Sequence, residues 1–157
     1  MTLSVCMIVG QDTDKLPRAL ASTTGIADEI IIAATAGSAG LENISAEHHA
    51  RVFNLPWPDD FSAARNAAFA QATQDWILWL DSDEWLDLTS HRELALCLRH
   101  SAALAWLITI VDRSGLHNQP RYSPTPLPRL FRSRQIPAET FPEIPHPFFL
   151  AYPDPYI

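Results

Sequence analysis

An α/β fold built on a mostly parallel sheet is predicted by three features of this sequence. Leu3–Val9, Glu29–Ala34 and Trp76–Leu80 are strand-length runs that are apolar at nearly every position, as strands buried on both faces are. Helix-length segments separate them, and strand–helix–strand connections place their strands parallel with right-handed crossovers. At 157 residues and 47% hydrophobic, the chain has the size and composition of one globular domain with a substantial core.

The first strand, Leu3–Val9, stops at Gly10-Gln11-Asp12-Thr13-Asp14, where Asp14 can cap a helix from Lys15 to about Ser22. Pro17 falls in the first turn of that helix, where its missing N–H costs nothing. Glu29–Ala34 runs into a loop of small residues, Thr35 to Gly40. A helix from about Leu41 to His49 leads to a short third strand, Arg51–Leu55. Pro56-Trp57-Pro58-Asp59-Asp60 is a stiff connection, after which Ser62 or Asp60 caps an alanine-rich helix to about Thr73. Trp76–Leu80 is the central strand, and Ser90 with Glu93 forms a capping box for a helix to about His100. Ala103–Val111 reads as a further strand and Asp112–Gly115 as a turn. Ten of the thirteen prolines lie between Pro120 and Pro155, which divides the chain into a core over 1–118 and a proline-rich segment over 119–157. Within that segment only Arg129–Arg132 is strand-like.

Charge and cysteine usage exclude several classes. A net charge of −7 with Lys15 as the sole lysine argues against a general nucleic-acid binder, although four arginines gather between Arg121 and Arg134. Cys6 and Cys97 fall on a strand and a helix and read as buried thiols, without a disulfide framework or zinc spacing. The histidines form no metal spacing either. The longest largely apolar run, Ala102–Val111, is too short to cross a bilayer, and Met1 leads directly into a strand with no basic region or cleavage site. These features read as a cytoplasmic protein without a transmembrane segment.

The chemistry concentrates where Trp76-Ile77-Leu78-Trp79-Leu80 ends in Asp81-Ser82-Asp83-Glu84. If extended geometry persists, period 2 puts Asp81 and Asp83 on one side with Ser82 turned away. Two carboxylates so placed repel by about 1 kcal/mol at ~4 Å in water and about 4 at an effective dielectric of ~20, a cost that a divalent cation removes. The ends of buried strands are also where open α/β sheets take their ligands. The plain alternative is a solvated turn with Asp83 capping a short helix. Arg65, in the first turn of its helix, makes an anion site suited to a diphosphate, unless it merely neutralises Asp59 or Asp60.

Several stretches together resemble a bacterial subgroup of family 2 glycosyltransferases, the inverting nucleotide-sugar enzymes. Leu3–Val9 with Leu16-Pro17-Arg18-Ala19-Leu20 is similar to the opening strand and helix, and Ile26–Ile32 to the second strand. Trp57-Pro58-Asp59-Asp60-Phe61-Ser62-Ala63-Ala64-Arg65-Asn66 is the longest and most specific match, and Leu130-Phe131-Arg132 is similar to a late strand. The resemblance covers about residues 3 to 133. It implies a glycosyltransferase A-type fold, a nucleotide-sugar donor and an unidentified glycan, lipid or protein acceptor. It also implies that Mg²⁺ or Mn²⁺ is held directly by Asp83, with Asp81 on the metal or the ribose, and that Asp60, Arg65 and Asn66 lie at the donor. The base that deprotonates the acceptor is implied downstream of the late strand, where Glu139, Glu143 and His146 stand, with Glu143 the first choice and His146 the second.

The departures from that pattern matter equally. Gly10-Gln11-Asp12 replaces a Lys-Asn-Glu-like run, and Gln74 stands where glycine is usual. Aligned on its second strand, the pattern has an aspartate that holds the nucleoside at Ala34 and another at Ala39. Losing a charged acceptor costs about 1.5–3 kcal/mol. Either the nucleoside is held differently, or the chain is a catalytically inactive binding module on the same fold. A metal-dependent nucleotidyl or phosphoryl transferase is the third reading, but it needs a glycine-rich phosphate loop with a lysine, and none is present.

Overall fold

A computed structural model describes residues 1–37, 39–99, 103–112, 121–122 and 126–133. Its main sheet contains β1 (Leu3–Val9), β2 (Glu29–Ala34), β3 (Arg51–Asn54), β4 (Trp76–Trp79), β5 (Ala105–Ile108) and β8 (Leu127–Arg132), in the order β3-β2-β1-β4-β8-β5. A separate ribbon pairs β6 (Val111–Asp112) with β7 (Arg121–Tyr122). The helices are α1 (Leu16–Ser22), α2 (Leu41–Glu47), α3 (Phe61–Phe69) and α4 (Leu88–Leu98). β1 pairs in parallel with both β2 and β4, and β2 with β3. The expected parallel neighbours are therefore in place. The order of strands reverses at β1, with β2 on one side and β4 on the other.

β8 runs antiparallel between β4 and β5, so the strand-like residues at Arg129–Arg132 belong to the middle of the sheet. Pro128 is accommodated where the β5–β8 register slips between Trp106 and Leu107, since a bulge is where a strand tolerates a residue without an N–H. The expected strand over 103–111 is interrupted, yielding β5 and then β6.

Because the central strands are covered on both faces, β1 and β4 are buried along almost their whole length. One face packs Leu3, Val5, Met7, Trp76 and Leu78 against Leu16 and Leu20 of α1, Leu41 of α2 and Leu94 and Leu98 of α4. The other packs Cys6, Ile31, Ile77, Trp79 and Phe131 against Ala68 and Phe69 of α3. Burial pushes the Cys6 thiol well above its ordinary range, and no disulfide forms among the described residues.

Two helix starts differ from expectation. Asp14 does not cap α1: Lys15 holds the cap position without a side-chain bond, and the Asp14 N–H is itself tied to Asp12 Oδ1 at 3.1 Å. Ser90 does not open α4. Asp87 caps that helix, accepting the Ser90 N–H at 2.8 Å and the Thr89 and Ser90 hydroxyls at 2.7 and 2.9 Å. A carboxylate offers the free N–H groups a charged acceptor, which a serine hydroxyl cannot match.

Candidate functional site

The C-terminal ends of β1, β2 and β4 converge on a cleft of about 450 Å³. Ile8 and Gly10 supply its β1 side, Thr35 its β2 side and Asp81-Ser82-Asp83 its β4 side, with Asp12, Lys15, Trp57 and Phe61 around them. Its position at the reversal of strand order is where open α/β sheets bind ligands. The aromatic wall is locally built. Asp59 takes a left-handed φ of 56°, a conformation aspartate tolerates, and Asp60 then returns to an extended backbone. That reversal lets Asp60 Oδ1 accept the Ser62 N–H at 2.7 Å to cap α3, and sets the Trp57 and Phe61 rings edge to face at 4.7 Å.

The carboxylate segment is a turn and not an extension of β4. The Glu84 N–H returns to the Asp81 carbonyl at 3.0 Å, and Glu84 Oε2 accepts the Asp81 N–H at 3.1 Å. This reciprocal closure replaces the expected period-2 alternation, so Asp81, Ser82 and Asp83 all line the cleft. Asp81 is held from two sides. Its Oδ1 accepts the Trp79 indole N–H at 2.7 Å, and its Oδ2 faces Arg129 Nη1 and Nη2 at 3.3 and 3.4 Å. Arg129 Nη2 also binds Glu84 Oε1 at 2.9 Å. Burial, and then the Asp81 charge, push Glu84 up to about 7 despite Arg129.

Arg65 and Arg129 both stack on the Trp79 ring, with Cζ 3.2 and 4.1 Å from its centroid. Burial lowers Arg65 to about 10 against the opposing pull of Asp81, so it is charged at neutral pH. Of the residues singled out in the sequence, Asp81 and Asp83 meet in the cleft. Asp60 caps α3, Arg65 lies beside the cleft on Trp79, and Asn66 sits half-buried one residue further along α3. Glu139, Glu143 and His146 lie outside the described residues. Sequence reasoning missed Arg129 as the partner of Asp81. Its signal was adjacency to the Leu130-Phe131-Arg132 match, together with the antiparallel insertion of β8 beside β4.

Ala34 does not reach the cleft. It is 1% exposed and packs in the core with Val9 and Leu41, whereas Thr35 faces the cleft and donates its hydroxyl to the Val9 carbonyl at 3.2 Å. Ala39 is exposed and does not line the cleft. An aspartate at position 34 would therefore enter apolar core. Ala34→Asp should destabilise the fold by about 3 kcal/mol or more. Thermal melts would register this as a drop of roughly 6–12 °C, while Thr35→Asp should stay within a few degrees of wild type. Equal melting temperatures for Ala34→Asp and wild type would show that residue 34 reaches solvent.

Among the described residues no group of three or more His, Cys, Asp or Glu side chains forms a metal site. With Asp81 held by Trp79 and Arg129, Asp83 is the cleft carboxylate best placed to ligate, and a hard cation needs about six oxygens. The residues fit a cation only if a bound diphosphate supplies further oxygens.

A parallel β3-β2-β1-β4 sheet, an antiparallel strand beside β4 and acidic residues at the β4 tip together define a glycosyltransferase A-type fold. The chain belongs to glycosyl transferase family 2, whose profile matches residues 4–151. It is 43% identical over 132 residues to a TPR repeat-containing protein of Synechococcus elongatus, covering 84% of this chain and 32% of that protein. This chain thus spans about a third of the length of that curated relative. In structure it is similar to TarS of S. aureus (residues 1–349), with a TM-score of 0.63, 16% identity and coverage of 88% of this chain and 51% of TarS. Glucosyl-3-phosphoglycerate synthase of Mycobacterium tuberculosis, solved with Mn²⁺, UDP and glucosyl-3-phosphoglycerate, gives 0.52 at 17% identity, over 66% of this chain and 42% of the synthase. At such identities the likeness concerns the fold. No helix among the described residues is long and apolar enough to cross a membrane.

Proposed function

We propose that this chain transfers a sugar from a nucleotide-sugar donor to an acceptor hydroxyl, with inversion and with the help of Mg²⁺ or Mn²⁺. The observation that carries this reading is the cleft at the β1–β4 reversal, whose lining holds Asp81 and Asp83 together with Trp57 and Phe61. An aromatic wall suits a base or sugar face, and a carboxylate turn suits a cation-bridged diphosphate. Family membership and the solved UDP complexes of TarS and of the M. tuberculosis synthase support it.

In this reading Asp83 would hold the cation, and Asp81, oriented by Trp79 and Arg129, would contact the cation or the ribose. A bound Mg²⁺ or Mn²⁺ would supply positive charge against the leaving diphosphate. The acceptor oxygen bonds to the anomeric carbon as the bond to the diphosphate oxygen breaks, and Arg65 adds positive potential nearby. The acceptor proton passes to a base, for which Glu143 and then His146 are our choices. The second reading, an inactive binding module, draws on the commitment of both Asp81 oxygens to protein partners.

Calorimetric titration with a panel of nucleoside diphosphates, with and without Mn²⁺, tests the donor site. Turnover of the matching nucleotide sugar then tests transfer. We expect Mn²⁺ to tighten binding of one diphosphate by tenfold or more, on the scale of a charge-assisted contact. Binding without turnover favours the module, and no binding of any diphosphate removes the transferase reading and leaves the module.

A further inference from the structure

The cleft is acidic, yet the ligand proposed for it is an anion. Asp12, Asp81 and Asp83 line it, and Lys15 is the one cation among its described lining residues. Lys15 is also the only lysine of the chain. Arg65 and Arg129 are not part of that lining: both guanidiniums stack on the Trp79 ring, and Arg129 also pairs with Asp81 and Glu84.

The position of Lys15 is fixed by how α1 is fastened to the segment that follows the carboxylate turn. Arg18, one turn further along α1, stacks its Cζ 3.6 Å from the Trp85 ring centroid. Ser22 Oγ accepts the Leu86 N–H at 3.0 Å, and the Ser22 carbonyl meets His91 Nε2 at 2.6 Å. Leu16 and Leu20 are fully buried beneath these contacts. Three attachments therefore lock α1 onto the stretch from Trp85 to His91, which continues directly from Asp81–Asp83. Lys15, half-buried at the head of α1, is held in register with that turn.

We propose that the Lys15 ammonium is a diphosphate contact of the donor site, recognising the phosphate oxygens of a nucleoside diphosphate or nucleotide sugar. The proposal rests on the donor reading given above. A nucleoside stacked on Trp57 or Phe61 would share the cleft with Asp81, Asp83 and Lys15, and so would its diphosphate. There the carboxylates repel it except through a cation, and Lys15 attracts it directly. A contact to the phosphate oxygens contributes through the phosphates and not through the base.

That dependence gives the test. Wild type, Lys15→Met and Lys15→Arg are titrated with uridine and with UDP in the presence of Mn²⁺. Lys15→Met should weaken UDP roughly tenfold or more while leaving uridine within about twofold, as for loss of one charge-assisted contact. Lys15→Arg should recover most of the UDP affinity, because it restores the charge. Unchanged UDP affinity in Lys15→Met overturns the Lys15 contact and leaves the donor reading standing. Equal losses for uridine and UDP also overturn it, since they report a distorted cleft. If wild type binds no UDP and no other nucleoside diphosphate, the donor reading falls first and the Lys15 contact with it.

Discussion

Arg129→Met should lower the stability of this domain by about 2–4 kcal/mol, seen as a fall in melting temperature of roughly 5–15 °C. Arg129 has a 6% exposed side chain and answers two carboxylates, Asp81 at 3.3 Å and Glu84 at 2.9 Å. Removing one partner of a fully buried ion pair costs about 3–5 kcal/mol, because a charge is left without compensation. Here the Asp81 and Glu84 side chains are 36% and 25% exposed, so water screens part of the loss and lowers it to about 2–4 kcal/mol. The variant also carries a pH signature. Glu84 is raised in the fold from 4.5 to about 7, so the folded state binds more protons than the unfolded chain between those values. Its contribution to stability is therefore present at low pH and declines as pH rises through that window. Without Arg129 the carboxyl is pushed higher still, and the decline should steepen and extend above neutrality. Adding Glu84→Gln to Arg129→Met should remove that pH dependence and restore part of the melting temperature. A single mutant that melts within about 2 °C of wild type would show that Arg129 does not hold the turn.

How much of this site was legible in the sequence follows from the range of the interactions involved. β1, β2 and β4 were readable because burial on both faces writes itself into consecutive apolar residues. Asp81 and Asp83 were readable because the strand before them ends abruptly. Their geometry was not, because it depends on Glu84 closing a turn back onto Asp81, a competition between strand and turn that the pattern leaves undecided. Arg129 was hidden for a different reason: it is 48 residues from Asp81, and only the antiparallel placement of β8 brings the two together. Ala34 and Thr35 show the sharpest limit. In a strand a step of one residue exchanges core for cleft, and Ala34, read from the sequence as a lost ligand, lies in the core with Val9 and Leu41. Asp87 was overlooked as a cap because Ser90 and Glu93 fit the capping-box spacing, yet a carboxylate three residues earlier captures the same N–H.

Asp83→Asn and Asp81→Asn should separate the chemistry of the turn from its architecture. If Asp83 ligates a cation shared with the donor, its amide variant keeps the shape of the side chain but loses the charge that makes the bond. Mn²⁺ should then no longer tighten UDP binding, and turnover should fall by about 10²–10³-fold, the scale of losing one well-placed group that stabilises developing charge. The melting temperature of Asp83→Asn should stay within about 2 °C of wild type, since Asp81 and Glu84, the carboxylates paired with Arg129, are both kept. Asp81→Asn differs because Asp81 serves both the cleft and the buried network. Its charge opposes that of Glu84, so its loss should bring Glu84 back toward the ordinary carboxylate range while one partner of Arg129 is weakened. The carbon-13 shift of the Glu84 carboxyl, followed through a pH titration, should move in Asp81→Asn much more than in a substitution outside the network. Metal coupling lost in Asp83→Asn, with the Glu84 titration moved less than in Asp81→Asn, would assign the cation to Asp83 and the positioning network to Asp81. Should wild type show no Mn²⁺ dependence with any nucleoside diphosphate, the turn holds no catalytic cation. The Arg129 network would then be explained by the stability of the β4–β8 junction alone.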